Sequence, residues 1–167
     1  MIFFNYSRPS MKSTKQSAGI LLYRLNEKIP EFFLVHPGGP FWAKKDLGAW
    51  SIPKGEFEND EDPLAAAKRE FHEETGTLLS GNFMELIPVT QKAGKLIMAW
   101  AVEGNIDPAK IHSNNFKMEW PPKSGSFKSF PEVDKAEWFK AETAMEKINP
   151  AQVSFINDVM NKLQLAR

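Results

Sequence analysis

GEFENDEDPLAAAKREFHEETGT, residues Gly55 to Thr77, crowds eight acidic side chains into 23 positions of a chain whose 21 acidic and 21 basic residues cancel. The middle of this stretch has helical grammar. Asp62 can cap a helix, Pro63 suits its first turn, and Gly76 suits the left-handed residue just past its end. A helix is therefore expected from Asp62 to Thr75. At about 100° per residue, Leu64, Ala67, Phe71, Thr75 and Leu78 gather on one side, which should be the buried one. Glu70, Glu73 and Glu74 stand at i, i+3 and i+4 and share a neighbouring face, while Ala65 and His72 point to water.

Like charges at this spacing oppose helix formation by about 0.2–0.5 kcal/mol per pair. Three carboxylates on one rigid face suit a hard divalent cation such as Mg²⁺ or Mn²⁺, which would remove that penalty. Arg69, four residues before Glu73, can bond to a carboxylate and hold the group in register. Charge spacing alone still favours the plainer reading of a solvated acidic helix face.

The rest of the chain narrows the choice. Its 167 residues, 42% hydrophobic and 25% charged, match one ordinary globular domain with its own core. Zero net charge removes the strong pull toward duplex nucleic acid or anionic membranes that a basic chain would show. The lack of cysteine excludes disulfides, thiolate zinc and cysteine nucleophiles, and agrees with an expected cytoplasmic location. No run of about 18 apolar residues suggests a membrane span. The opening MIFFNYSRPSMKSTKQSAG turns polar too soon for a signal peptide. Residues 1–16 are expected to be an N-terminal extension, with Met11 a second possible start, and 17–167 a single domain.

Strands and helices alternate along that domain. AGILLYRL (18–25) and EFFLVH (31–36) read as buried strands around the turn-like NEKIP. A Gly/Pro-rich loop, PGGPFWAKKDLG, and the short AWSIP lead into the acidic stretch. After it, NFMELIPVTQ (82–91) and KLIMAWAVEG (95–104) read as two strands. Residues 105–130 lack periodicity and are expected to be a long irregular connection, usually functional when it occurs in a compact domain. AEWFK (136–140) reads as a strand. AETAMEKI and PAQVSFINDVMNKLQ read as helices, the second with Val153, Ile156, Val159, Met160 and Leu163 along one stripe.

The full acidic pattern overturns the plainer reading. Gly55, Glu61, Arg69, Glu70, Glu73, Glu74 and Gly76 fall without a gap on G-x5-E-x7-R-E-U-x-E-E-x-G-U, so the stretch resembles the Nudix box of the Nudix hydrolases. Seven fixed residues at about 6% each coincide by chance in roughly one window in 10⁸. Phe71 and Thr77 replace the usual aliphatic residues, which touches packing and not the acidic set. WSIPKG (50–55) and FPEVDKAEWF (130–139) are similar to the flanking strands, and the resemblance spans roughly residues 17 to 165.

That resemblance implies a fold, an activity and a set of site residues. The fold would be an α/β/α sandwich, with a mixed, curved sheet between the box helix and a C-terminal helix. The activity would be Mg²⁺-dependent cleavage of a pyrophosphate bond in a nucleoside diphosphate linked to another group, with a small nucleotide as partner and no nucleic acid or membrane. Glu70, Glu73 and Glu74 would hold metal, joined by the backbone carbonyl of Lys54. Glu61 would brace Arg69, and Gly55 and Gly76 would shape the backbone. A late carboxylate often completes such sites; Glu119 is the preferred candidate, followed by Glu132 and Glu103. Which glutamate takes the proton from water stays open.

Phe41, Trp42, Trp120, Phe127 and Phe130 lie in or beside the two irregular loops, where aromatic rings can stack on a base. Lys44, Lys45, Lys54, Lys117, Lys123 and Lys128 accompany them and can hold phosphates. Trp50 and Trp100 are expected in the core, and His36 is a weak candidate acid. The PKG opening of the box resembles the dinucleoside polyphosphate branch, such as diadenosine tetraphosphate hydrolases, and also the inositol polyphosphate and RNA-end branches, of which the zero net charge favours the dinucleotide. Cleavage of a (d)NTP to a monophosphate and pyrophosphate, RNA 5′-end hydrolysis, and a catalytically silent nucleotide-sensing module are the competing readings. The silent module is disfavoured because no box glutamate is missing.

Overall fold

A computed structural model describes residues 15–163. Strands β1 (Gln16–Asn26) and β2 (Ile29–Pro37) form an antiparallel hairpin in which Asn26 faces Ile29. Its turn residues, Glu27 and Lys28, both hold positive φ (49° and 69°), the twist a two-residue hairpin demands. Strand β3 (Lys54–Glu56) runs antiparallel to the first part of β1. Helix α1 (Pro63–Thr75) follows, then short β4 (Met84–Glu85) and β5 (Val89–Thr90), and the longer β6 (Leu96–Glu103). Strands β7 (Asn115–Glu119), β8 (Phe127–Pro131) and β9 (Val133–Lys140) precede α2 (Ala141–Lys147) and α3 (Val153–Lys162).

The main sheet has the order β4-β6-β1-β2-β9, with β3 beside β1 and β5 beside β6. Only β1 and β6 are parallel, so the sheet is mixed. Successive side chains on β1 point to opposite faces and build two cores. Ala18, Ile20 and Leu22 meet Phe33, Ala66, Ala67 and Phe71 beneath α1. Leu21 and Tyr23 join Phe32, Leu34, Ile97, Phe155, Ile156 and Val159 beneath α2 and α3. Helices cover both faces, the α/β/α arrangement expected from the sequence. Phe71, fully buried and 6.0 Å from the Phe33 ring, fills an aliphatic position with a larger apolar surface.

Helix α1 begins and ends as its sequence dictates. The Asp62 side chain accepts the Ala65 N–H at 2.9 Å, a cap worth about 1 kcal/mol. Gly76 takes φ 79°, and its N–H donates to the His72 carbonyl. Buried Gln152 ties the C-terminal layer to the strand leading into the acidic stretch: its Oε1 accepts from the Ile52 N–H and its Nε2 donates to Ser51 Oγ.

Four local expectations change. Leu78 is exposed, because it lies beyond the Gly76 cap where helical angles no longer apply. Residues 82–91 supply two short strands instead of one: Met84–Glu85 and Val89–Thr90 each pair with β6, and the chain between them leaves the ladder after the Leu86 N–H donates to the Ala99 carbonyl. The connection 105–130 is not irregular throughout: β7 and β8 make a separate two-stranded hairpin. Gln16 belongs to β1 and not to an extension; the remainder of the expected extension before Lys15, and residues 164–167, lie outside the described residues.

Candidate active site

The box carboxylates meet where β3, α1 and the start of β9 come together. Gly55 pairs with Ala18, which turns the Gly55 α-carbon toward α1. A Cβ there would lie 2.1 Å from Glu70 Cδ, so only glycine leaves room for that carboxylate. Glu74 Oε2 accepts the Lys54 N–H at 3.1 Å. Arg69 holds the other glutamates. It donates twice to Glu61, from Nε at 2.8 Å and Nη2 at 3.1 Å, and through Nη1 to Glu70 at 2.8 Å and Glu73 at 3.2 Å. These carboxylates raise the Arg69 guanidinium further above its ordinary range, the Glu61 bond first.

The electrostatics show how closely these acids crowd. Burial, then the Glu70 charge, pushes the Glu74 carboxyl up to about 8. Burial and then the Glu73 charge also raise Glu70, against the hydrogen bond from Arg69. Glu132 is raised by partial burial and the Glu73 charge, and its own charge acts back on Glu70 and Glu74. A cleft of about 180 Å³ opens between Lys54, Glu74, Glu132 and Val133.

The late carboxylate at this cluster is thus Glu132, the second choice from sequence. Glu119 is not brought to it. That residue ends β7 opposite Phe127, five residues beyond Asn114, or roughly 16 Å along an extended strand. Asn114 itself is tied to α1, its N–H donating to the Glu73 carbonyl, and its carbonyl accepts the Glu132 N–H. Glu103 ends β6 beside Tyr23, whose phenol is raised by burial and then by the Glu103 charge.

Phe41, Trp120 and Phe130 lie along one face of the β7–β8 hairpin, while Phe127, across from Glu119, is on the other face. Phe41 packs edge-on against Trp120 at 5.5 Å, and Phe130 lies 6.0 Å from Phe116 across the β7–β8 ladder. The two loops meet at the Phe41–Trp120 contact. Phe41 is 58% exposed and Phe127 68% exposed, so both offer open ring surface. Trp42 stacks beneath the Lys45 ammonium, and Lys44, Lys117, Lys123 and Lys128 are exposed. Trp50 and Trp100 are buried in the core.

His36 is an anchor and has no atom free for a phosphate. Its Nδ1 meets Asp134 Oδ1 at 2.9 Å and its Nε2 meets the Lys45 carbonyl at 2.7 Å, with the ring buried against Trp50. It pins the far end of the loop that carries Phe41 and Trp42.

The donor set fits a hard divalent cation: four carboxylates, all oxygen, of which Glu70, Glu73 and Glu132 each raise a neighbouring acid. Among the described residues no three of them already stand close enough to share one ion. Arg69 draws Glu70 and Glu73 to itself, and Glu74 turns to a backbone N–H.

An α/β/α sandwich with crowded carboxylates on a capped loop–helix defines a class of fold and site. A family model described as NUDIX domain matches residues 13–159, and the chain belongs to that family. A segment of 102 residues, 59% of this chain, is 30% identical to an 8-oxo-(d)GTP phosphatase of Mycolicibacterium smegmatis, covering 26% of that protein. A segment of 70 residues, 41% of this chain, is 39% identical to an RNA pyrophosphohydrolase of Methylococcus capsulatus, covering 35% of it. The chain thus spans about a quarter to a third of the length of these curated relatives.

Among solved structures, a C. elegans Ap4A hydrolase binary complex superposes with TM-score 0.63 at 21% identity, over 90% of this chain and 98% of that one. The NUDIX domain of Shewanella oneidensis NrtR, complexed with ADP ribose, gives TM-score 0.65 at 14% identity over 95% and 94%. These likenesses establish the shared fold.

Proposed function

We propose that this protein is a divalent-metal-dependent pyrophosphohydrolase of nucleotides, with Glu70, Glu73, Glu74 and Glu132 as its metal-binding carboxylates. The observation that carries the reading is the electrostatic crowding of these four acids, with Glu74 and Glu132 lining one cleft and Glu70 packed against Gly55. Such crowding costs folding free energy and is characteristic of a working site. A divalent cation bound there would polarise the phosphoryl oxygens and lower the pKa of a bound water.

The chain's own residues do the rest. Arg69, held by Glu61, keeps Glu70 and Glu73 aligned on one face and can release their oxygens to an incoming cation. Lys54, one residue before Gly55, carries a cation within reach of the Glu74 and Glu70 charges, where a phosphate chain needs compensation. The Phe41–Trp120 wall, with Trp42 and Phe130 nearby, supplies a stacking surface for a base. Lys44, Lys45 and Lys128 surround that wall.

The preferred substrate is a dinucleoside polyphosphate such as diadenosine tetraphosphate, cleaved asymmetrically to ATP and AMP. The aromatic wall is a single one, so the preference rests on cations along the phosphate chain rather than on separate platforms for two bases. A (d)NTP releasing pyrophosphate is the second reading, favoured by the likeness to the 8-oxo-(d)GTP phosphatase. Comparing kcat/KM for diadenosine tetraphosphate, ATP and dGTP with Mg²⁺ decides between them. The first should be fastest, and Lys54→Ala should narrow its lead. A clear preference for a mononucleoside triphosphate would overturn the dinucleotide reading.

Gly55→Ala offers a separate check. The new methyl group would collide with the Glu70 carboxylate, so about a tenfold loss of activity and a lower Tm should appear together. Wild-type activity in this variant would show that Glu70 does not rest against Gly55 in the working enzyme.

A further inference from the structure

Lys95 immediately precedes β6, yet its ammonium reaches Glu56 Oε1 on β3 at 3.1 Å. Strand β1 lies between those two strands, with Ser17 paired to Glu56 on one side and to Ile97 on the other. The ion pair therefore spans β1 at the level of Ser17. The Ser17 side chain is fully buried, and its hydroxyl is the buried side-chain polar atom that finds no hydrogen-bond partner among the described residues. A structural ion pair has no need to enclose an unsatisfied hydroxyl, and native proteins seldom tolerate one without a use for it.

Lys54 belongs to the same face. Its partner across the ladder is Gly19, two residues beyond Ser17, and a Cβ on Gly19 would lie 2.6 Å from Lys54 Cβ. Burial, then the Lys95 charge, presses the Lys54 ammonium below its ordinary range. The hydrogen bond from Lys95 holds the Glu56 carboxyl down, followed by the charges of Lys95, Lys15 and Lys54. Lys95, Lys15 and Lys54 thus all act on the exposed Glu56 carboxylate, while the Glu74 and Glu70 charges reach only Lys54 of the three.

The lysines also stand next to the acidic cluster. Among the described residues strand β3 pairs only with β1, so its other side is an edge of the described sheet. Gly55 turns toward Glu70 on one face, while Lys54 and Glu56 turn to the other. A phosphate chain passing this edge would meet the acidic cluster first and the lysines next.

We propose that Lys95, Lys54 and Ser17 form a subsite for the distal phosphate of a polyphosphate chain, with the phosphate replacing the Glu56 carboxylate and accepting a hydrogen bond from the Ser17 hydroxyl. That the chain belongs to a nucleotide rests on the function proposed above; the anion subsite itself does not.

Calorimetric titration with inorganic tripolyphosphate, in buffer freed of divalent cations by a chelator, tests the subsite directly. Lys95→Ala should weaken binding at least tenfold, Lys95→Arg should keep it within about threefold, and Lys92→Ala on the neighbouring surface should leave it unchanged. Ser17→Ala should weaken binding about threefold or more while Tm holds or rises, because the removed hydroxyl had no partner. Orthophosphate should bind far more weakly than tripolyphosphate; equal affinity would overturn the chain subsite in favour of a simple anion site. Unchanged tripolyphosphate binding in Lys95→Ala would overturn the proposal outright. With Mg²⁺, Lys95→Ala should raise KM for diadenosine tetraphosphate and spare kcat. If the wild type hydrolyses no nucleotide, the proposed function falls, and the tripolyphosphate titration still decides the subsite.

Discussion

Glu74→Gln should lower turnover by about 10²-fold or more in saturating Mg²⁺ while leaving the protein folded. Glutamine preserves the side chain's shape and its ability to accept the Lys54 N–H, but removes a charge from the most crowded position of the site. Without divalent cations the variant should therefore be as stable as the wild type or more stable, since burying the Glu74 carboxyl, and then setting it against the Glu70 charge, costs folding free energy that glutamine avoids. Adding Mg²⁺ should raise the wild-type Tm, because a ligand that binds only the folded state stabilises it. The same addition should move the Glu74→Gln Tm much less. Near-normal turnover with an unchanged response to Mg²⁺ would place the metal, and the chemistry, elsewhere.

Helix α1 was legible because its signals are local. Asp62, Pro63 and Gly76 mark its ends, and the period of Ala67, Phe71 and Thr75 marks its buried face. The α/β/α layering was legible too, since apolar runs such as AGILLYRL and EFFLVH declare buried strands. The identity of the fourth carboxylate was not. It depends on how a hairpin far along the chain from the helix is tied down, through Asn114 to Glu73 on one side and Glu132 on the other.

A signal for that hairpin did exist. Phe116, Met118 and Trp120 alternate with Asn115, Lys117 and Glu119, the period of a strand, although lysines, prolines and serines around them mask it. Ser17 and Lys95 had no comparable signal. Seventy-eight positions separate them, and only the parallel pairing of β1 with β6 brings them to one face.

Glu132→Gln and Glu119→Ala separate two placements of the late carboxylate. The Glu132 charge acts on Glu70 and Glu74, the Glu73 charge acts on Glu132, and two backbone bonds fix it: its N–H donates to the Asn114 carbonyl and its own carbonyl accepts the Gly38 N–H. A carboxylate so held contributes its charge without first having to be ordered, which is how a group acting on the transition state is most effective. Glu132→Gln should therefore cut kcat by about 10²-fold and change KM little. Glu119, at the far end of β7 and opposite Phe127, lies on the hairpin that carries the aromatic rings and away from the acidic cluster. Its loss should change KM for the nucleotide by no more than a few-fold and leave kcat near normal. Steady-state kinetics on both variants with one substrate decides the matter: a large fall in kcat for Glu119→Ala with Glu132→Gln unaffected would mean that the hairpin folds over the acidic cluster when substrate binds, and would return the role to Glu119.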